Sequence, residues 1–192
     1  MRGAARKGRG MFGFARRRAL RRRAERIYSE IVAQARSPAF YARLGAPDDL
    51  DGRFDLILLH AYVVLRRLRA EDGDSPLSQA VFDAMFADMD RSLREMGVGD
   101  LSVPKRIKEM GRAAFGRFAA YDAAMEEGET AFAAALRRNV YGGAPTPPSA
   151  ESLAALTAYA LASVAAADAA AAPDGQTRPA VFAPAPEQGG AP

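Results

Sequence analysis

The sequence predicts an all-α fold: a single compact multi-helix domain of about six to seven helices, between a disordered basic N-terminal arm and a Pro/Ala-rich C-terminal tail. Apolar residues recur every three or four positions in several segments, which is typical of amphipathic helices. Serine–proline pairs and glycines mark where these segments begin and end. A chain of 192 residues can bury a core within one domain. We expect the arm at 1–19, the helical domain at 20–171 and the tail at 172–192.

The composition excludes several classes of chemistry. The chain has no cysteine, no tryptophan and one histidine, so disulfides, thiolate zinc sites, iron–sulfur clusters and cysteine nucleophiles are ruled out. The sequence contains no nucleophile-elbow, zinc-protease, phosphate-loop or paired-carboxylate motif. We therefore expect a helical binding or assembly protein that is not an enzyme and uses no cofactor.

The N-terminal arm carries more positive charge than the net charge of the whole chain. Ten basic residues precede the first acid, Glu25, whereas the formal net charge is +4. Four interpretations stay open: a contact with anionic lipid, a tether to RNA or the ribosome, an organellar transit peptide, and a solvated tail. Met11 is an alternative start. The candidate membrane or RNA residues are Arg16, Arg17, Arg18, Arg21, Arg22 and Arg23.

Two helices are predicted at the start of the domain. The first follows helical spacing from about Leu20 to Ala35. The second begins at Ser37–Pro38, where serine supplies an N-cap and proline the first helical residue, and Gly45 ends it.

The segment Phe54–Arg69 has almost no polar face, which predicts the central, buried helix. Its apolar run Leu56–Leu65 is about half the roughly 20 residues that a membrane-spanning helix needs, so we expect no transmembrane segment. His60 lies inside this run. A lone histidine on an apolar helix is far more often a packed or hydrogen-bonded core residue than a metal or haem ligand, and we assign it to the core.

A complete apolar stripe predicts the next helix, which begins at Ser75–Pro76. Core packing explains the stripe, and a groove for apolar helices is the sharper alternative, because methionine adapts to varied partners. The opposite face carries Asp83, Asp90, Arg91 and Arg94. The stripe consists of Phe82, Met85, Phe86, Met89, Leu93 and Met96.

A glycine-rich turn separates this helix from three more. Gly97 fits a left-handed helix end, and the polar groups of Asp100 and Ser102 with Pro104 open the next helix. That helix carries Ile107, Met110, Ala114, Phe118, Tyr121 and Met125 at apolar spacing. Another ends near 141–143, and Ser149 caps an alanine-rich last helix.

Two segments resemble the ubiquinol-cytochrome c chaperone family, whose mitochondrial members are assembly factors for the cytochrome bc1 complex. They are ARLGAPDDLDGRFDLILLHAYVVLRRLR, 42–69, and FDAMFADMDRSLREMGVGDLSVPKRIKEMGRAAFGRFAAYDAA, 82–124. The most specific part runs from Asp88 to Lys108. Pro104 departs from the small residue, such as glycine, that we expect there.

The resemblance implies a helical chaperone without enzymatic activity that holds newly made cytochrome b. It also implies a small partner subunit and a contact with the ribosome. It assigns a stripe that is client-facing or part of the core, and a signature surface and turn; these protein-interaction residues are Phe82, Met85, Phe86, Asp88, Met89, Asp90, Arg91, Arg94, Glu95, Gly97, Gly99, Asp100, Ser102 and Lys105.

The leading hypothesis is therefore a bc1 assembly chaperone with cytochrome b as its client. We expect it in a bacterial cytoplasm, peripheral to the inner membrane, with the matrix side of the mitochondrial inner membrane as the alternative. The rival hypothesis is an RNA- or ribosome-binding helical protein that acts through its arm. No specific DNA binding is expected.

Overall fold

The computed structural model describes residues 4–72, 76–170 and 180–186, and the side chains from residue 14 onwards except that of residue 72. The described residues form seven helices and no strand, which confirms the all-α prediction. Six are long, and the second has five residues. The helices are α1 (Ala4–Ala35), α2 (Pro38–Ala42), α3 (Leu50–Asp72), α4 (Pro76–Glu95), α5 (Val103–Glu127), α6 (Glu129–Val140) and α7 (Ala150–Ala169).

Helix α3 is the centre of the molecule, as its sequence predicts. Leu56, Leu59, Tyr62 and Val64 point in different directions around the helix and are all buried. Helices α1, α4, α5, α6 and α7 each contact α3, because only a ring of neighbours can cover a helix that is apolar on all sides. Around it, α1 packs along α4, α5 along α6, and α6 along α7.

The turn after α4 has the left-handed glycine that the sequence predicts. Gly97 has a φ of +80°. Its N–H donates to the carbonyl of Arg94, and the N–H of Val98 donates to the carbonyl of Leu93, both at 3.0 Å. These two bonds form a Schellman motif, which satisfies the last carbonyls of the helix and fixes the direction in which the chain leaves it.

Predicted serine caps have mixed outcomes. Ser149 caps α7, because its hydroxyl accepts the N–H of Ser152 at 3.0 Å. Ser37 and Ser102 precede α2 and α5, but neither side chain makes a capping hydrogen bond. Ser102 already has helical backbone angles, φ −91° and ψ −26°, and a capping serine needs an extended backbone. Ser75 lies outside the described residues.

Described helical or packed residues extend into both predicted terminal segments, 1–19 and 172–192. Helix α1 begins at Ala4 and not near Leu20, so much of the expected arm is helical, and its described side chains at 14–19 are exposed. The predicted tail is described only at 180–186. There the chain packs against the helical domain, since Ala180 and Phe182 contact the core. The remaining parts of 1–19 and 172–192 lie outside the described residues.

Helix α7 is long and apolar enough, by length and composition, to cross a membrane. In this fold, Leu156, Tyr159, Ala160 and Val164 are buried, and the helix packs against α3 and α6 as a core helix does.

Candidate functional site

An apolar groove of about 810 Å³ lies between α4 and α5, and α3 forms part of its floor. We call it the aromatic groove. Helices α4 and α5 are joined by the short turn at 96–102, which holds them side by side. The groove is lined by Leu65, Arg69, Ser78, Gln79, Phe82, Asp83, Phe86, Ile107, Gly111, Phe115, Phe118, Ala119 and Asp122.

Four phenylalanine rings form the apolar surface of this groove. Phe82 is central: its ring centroid lies 5.1 Å from that of Phe86, 5.0 Å from that of Phe115 and 6.0 Å from that of Phe118. Phe118 is buried, Phe82 and Phe86 are half-buried, and Phe115 is 64% exposed. The cluster therefore runs from the core to the surface, where Phe115 exposes apolar area to water, a contact that is unfavourable.

Polar groups at the rim of the aromatic groove bind one another. Arg69 lies 3.3 Å from Asp122 across the space between α3 and α5. Gln79 donates to Asp83 at 2.7 Å on α4. These polar groups at the rim of the aromatic groove therefore have partners within the chain.

The predicted stripe of α4 divides between two surfaces. Met85, Met89 and Leu93 are buried in the core, whereas Phe82 and Phe86 face the aromatic groove. The assignment of Met96 to the core is wrong, because its side chain is 51% exposed. Helix α4 ends at Glu95, so helical spacing no longer determines where the next side chain points.

Most charges of the signature motif have partners within the chain. Asp88 accepts the hydroxyl of Tyr28 from α1 at 2.9 Å, and Arg91 lies 3.4 Å from Asp88. Arg94 contacts Asp90 at 2.7 Å and Asp100 at 2.5 Å, and so joins the end of α4 to the turn. These contacts give the charged residues a structural role; their contact with a partner stays a prediction.

The other signature residues are on the surface. Glu95, Gly99, Ser102 and Lys105 are exposed. Between them Leu101 is 98% exposed, so the turn presents an apolar side chain to solvent.

A second groove, of about 1030 Å³, lies on the other side of α4, and we call it the polar groove. Most of its lining surface is apolar, as in the aromatic groove, and its charged residues, among them Arg36, Arg53, Asp88 and Glu95, give it its name. It brings together Tyr28, Arg36, Pro38, Tyr41, Ala42, Asp48, Leu50, Arg53, Phe54, Ile57, Asp88, Met89, Ser92, Leu93, Glu95, Met96 and Met110.

Sequence reasoning missed Phe115 and the polar groove. Phe115 lies off the apolar stripe of α5, on a side otherwise rich in charge and glycine, and a large aromatic residue there was the available signal. The polar groove had no such signal, because its residues come from five helices and three of the segments that connect them.

His60 is a hydrogen-bonded core residue, as predicted. Its side chain is 1% exposed, Nδ1 lies 2.7 Å from the carbonyl oxygen of Leu56, and Nε2 lies 2.7 Å from the hydroxyl of Tyr159. Burial lowers the pKa of His60 to about 4. Both ring nitrogens are engaged, so the imidazole has no lone pair directed at a ligand. Among the described residues, no three His, Asp or Glu side chains group in a way that could hold a metal ion.

A buried ion pair joins α3 to α5 beside the core. Arg117 Nη2 lies 2.7 Å from Asp55 Oδ1. Burial raises the pKa of Asp55 to about 7, and the nearby Arg117 opposes that shift. The pair positions α5, which forms one wall of the aromatic groove.

The exposed start of α1 carries charge on every side. Arg16, Arg17, Arg18, Arg21 and Arg22 are exposed, and Arg23 is half-buried. At about 100° per residue these six guanidinium groups are distributed around the whole helix. Phe14 and Leu20 project about 120° apart, between arginines. This part of α1 therefore has no apolar face.

Comparison with known proteins agrees with this architecture. A sequence model of the family described as ubiquinol-cytochrome C chaperone matches residues 42–179. Among solved structures, the chain is similar to the crystal structure of the Cbp3 homolog from Brucella abortus. The two are 35% identical with a TM-score of 0.67, over 82% of this chain and 87% of that chain. No curated protein matches the chain. The family match covers both walls of the aromatic groove, and the chain belongs to the ubiquinol-cytochrome c chaperone family.

Proposed function

We propose that this protein is a non-enzymatic chaperone for assembly of the ubiquinol-cytochrome c reductase (bc1) complex, and that its client is newly made cytochrome b. Family membership supports the chaperone role. One observation supports the site: Phe115, 64% exposed, extends an aromatic surface that Phe82 and Phe86 continue into the aromatic groove. We assign this groove to the client.

The chemistry of the groove fits an apolar helix. Cytochrome b is a membrane protein, and its helices expose apolar side chains until they are inserted and assembled. Helix-in-groove recognition buries residues at positions i, i+3, i+4 and i+7 against an apolar floor, while polar groups stay at the rim. The four phenylalanines supply the floor, and Arg69, Asp122 and Asp83 the rim. We expect a small partner subunit and the ribosome to contact other surfaces, with the protein peripheral to the inner membrane of a bacterium.

Three matched serine substitutions test this assignment. Phe115→Ser removes an exposed apolar side chain from the aromatic groove, Leu50→Ser removes one that lines the polar groove, and Leu101→Ser removes one from the turn between α4 and α5. All three side chains are exposed, so the fold should tolerate each change. Cytochrome b that co-purifies with tagged protein is quantified by mass spectrometry.

We expect Phe115→Ser to reduce the recovered cytochrome b about tenfold, because truncating an aromatic contact that a client covers costs roughly 1–2 kcal/mol. Leu101→Ser and Leu50→Ser should stay within about twofold of wild type. Equal recovery of cytochrome b with all three variants would show that the client does not bind in the aromatic groove. Deletion of the gene should lower assembled bc1 complex while cytochrome b transcript is unchanged; normal bc1 levels would overturn the chaperone role.

A second function has its own support, the distribution of arginine around α1. A helix that lies on a membrane needs a polar and an apolar face, and this part of α1 has no apolar face. Charge on all sides suits a polyanion such as ribosomal RNA, because phosphates can approach from any direction. We propose that the arm tethers the chaperone to RNA.

The arm is tested against a control of equal charge. Arg16, Arg17 and Arg18 are replaced by serine in one variant, and Arg106, Lys108 and Arg112 in the other; all six side chains are exposed. Ribosome binding is measured from 50 to 200 mM salt. Loss of binding and of its salt dependence in the first variant alone would support the tether. Equal effects of both variants would exclude it.

A further inference from the structure

The segment 180–186 packs against the helical domain through both its main chain and an aromatic side chain. We call this segment, Ala-Val-Phe-Ala-Pro-Ala-Pro, the C-terminal strap. It has no regular secondary structure, and the prolines at 184 and 186 bias the residues before them towards an extended backbone. The family match ends at residue 179, so the strap lies beyond the region that the match defines.

The strap contacts two helices through its own backbone. The N–H of Ala180 donates to the carboxylate of Glu30 on α1 at 2.6 Å. The N–H of Ala183 donates to Oγ of Ser163 on α7 at 3.1 Å, and the carbonyl of Ala183 accepts from the amide of Gln34 at 3.3 Å. The side chains of Glu30, Ser163 and Gln34 bind main-chain atoms, which any extended segment presents.

One side chain of the strap adds a specific contact. The ring of Phe182 meets the ring of His60 edge-on, with 5.2 Å between centroids. His60 also contacts Phe40 at 5.3 Å and binds Tyr159, whose hydroxyl accepts from Gln34 at 3.0 Å. The strap therefore occupies a site built of an aromatic wall and three polar side chains that bind an extended backbone.

We propose that this site is an exchangeable peptide-binding site, and that the strap is its intramolecular occupant. The partner that displaces the strap is a proline-containing segment of another polypeptide, with one aromatic residue between small apolar residues. The chemistry of the strap defines this partner: small residues let the backbone approach Glu30, Gln34 and Ser163, and one aromatic ring reaches His60. This site is separate from the aromatic groove, so the two can be occupied independently.

His60 is the only histidine in the sequence, which gives a direct probe of the site. In full-length protein labelled with isotopes at histidine, the ring signals of His60 report the neighbouring Phe182 through its ring current. Phe182→Ala should shift these signals. Pro184→Ala, a change at an exposed position of the same strap, should leave them within about a tenth of that shift.

Exchange is then tested by adding a synthetic peptide with the sequence of residues 178–187 to the full-length Phe182→Ala variant. The peptide should return the His60 signals towards their wild-type positions, and a peptide with alanine in place of its phenylalanine should not. Wild-type protein should bind the peptide at least about tenfold more weakly, because its own strap competes at an effective concentration in the millimolar range.

Three outcomes would overturn the proposal. If Phe182→Ala leaves the His60 signals unchanged, the strap does not occupy the site. If millimolar peptide does not reverse the shift of the His60 signals in Phe182→Ala, the strap is a fixed part of the fold and not an exchangeable occupant. A wild-type dimer whose subunits exchange straps would assign the site to self-association and not to a partner. Glu30→Gln provides a second weakened strap if Phe182→Ala does not fold.

Discussion

The molecule contains two aromatic clusters, one closed and one open. In the closed cluster, Phe40, His60, Tyr159 and Phe182 lie with ring centroids about as far apart as those of Phe82, Phe86 and Phe115 in the open one, 4.9–5.7 Å against 5.0–5.1 Å. The closed cluster has polar anchors on both sides of His60, and the strap covers it. The open cluster is unanchored, and Phe115 faces solvent. Ring spacing alone therefore does not separate core packing from a binding surface; exposure and polar anchoring do.

The largest expected contrast is in stability. Phe40→Ala should lower the free energy of unfolding by about 3–5 kcal/mol, because Phe40 is fully buried and the change leaves a cavity. Phe115→Ala should cost less than about 0.5 kcal/mol, since that ring is mostly solvated already. Urea unfolding of both variants measures the difference. Similar losses in the two would mean that the open cluster is also part of the core.

The closed cluster and the Asp55–Arg117 pair, which positions one wall of the groove around the open cluster, should respond to pH in opposite directions. Burial lowers the pKa of His60 from 6.5 to about 4, so neutral His60 is favoured in the folded protein. Its stabilisation is complete above pH 6.5 and is lost as pH falls towards 4, by roughly 3 kcal/mol. Burial raises the pKa of Asp55 from 3.8 to about 7, so its contribution is complete below pH 3.8 and is lost as pH rises to 7.

Two substitutions separate these contributions. Asp55→Asn should leave the His60 dependence, so its free energy of unfolding falls between pH 7 and 4.5. His60→Gln should leave the Asp55 dependence, and its free energy of unfolding should rise over the same interval. The slope of the free energy of unfolding against pH should be intermediate in the wild type, because the contributions of His60 and Asp55 oppose each other. Parallel pH curves for the two variants would contradict both pKa shifts.

A smaller effect is expected where α4 is tied to α1. Tyr28→Phe removes the hydroxyl that Asp88 accepts at 2.9 Å, and should cost about 1–2 kcal/mol, as for a part-buried hydrogen bond to a charged group. Asp88→Asn and the double variant complete a thermal or urea double-mutant cycle. A coupling energy near zero would show that this bond does not help to hold α4, and with it the open cluster, in place.

The smallest contrast concerns the turn that joins the walls of the aromatic groove. Gly97→Ala should cost about 1 kcal/mol, because Gly97 has a φ of +80° and an added Cβ would meet no neighbour within 4 Å. Gly99→Ala has the same open surroundings without the positive φ, and should change stability by less than about 0.5 kcal/mol. Equal melting temperatures for these two variants would show that the Schellman turn does not limit the stability of this region.

Prediction from the sequence succeeded where periodicity within one segment determines the structure. The helix around Leu56–Leu65 is buried on all sides, His60 is a core residue, and Gly97 ends α4 in the left-handed conformation. It failed at Met96, where the helix ends and its period no longer applies. It also did not foresee that Asp88 and Arg94 make contacts within the chain, because those partners come from α1 and from the turn.

By itself, the sequence determined the fold class, the central helix, most helix boundaries and the resemblance to a chaperone family, since each depends on residues that are close in the chain. Only the tertiary structure decided which half of the α4 stripe is buried, that Phe115 completes an open groove, and that the strap reaches back to His60. These features depend on how helices pack against one another, and residues distant in sequence, such as Phe182 and His60, become neighbours only in the folded chain.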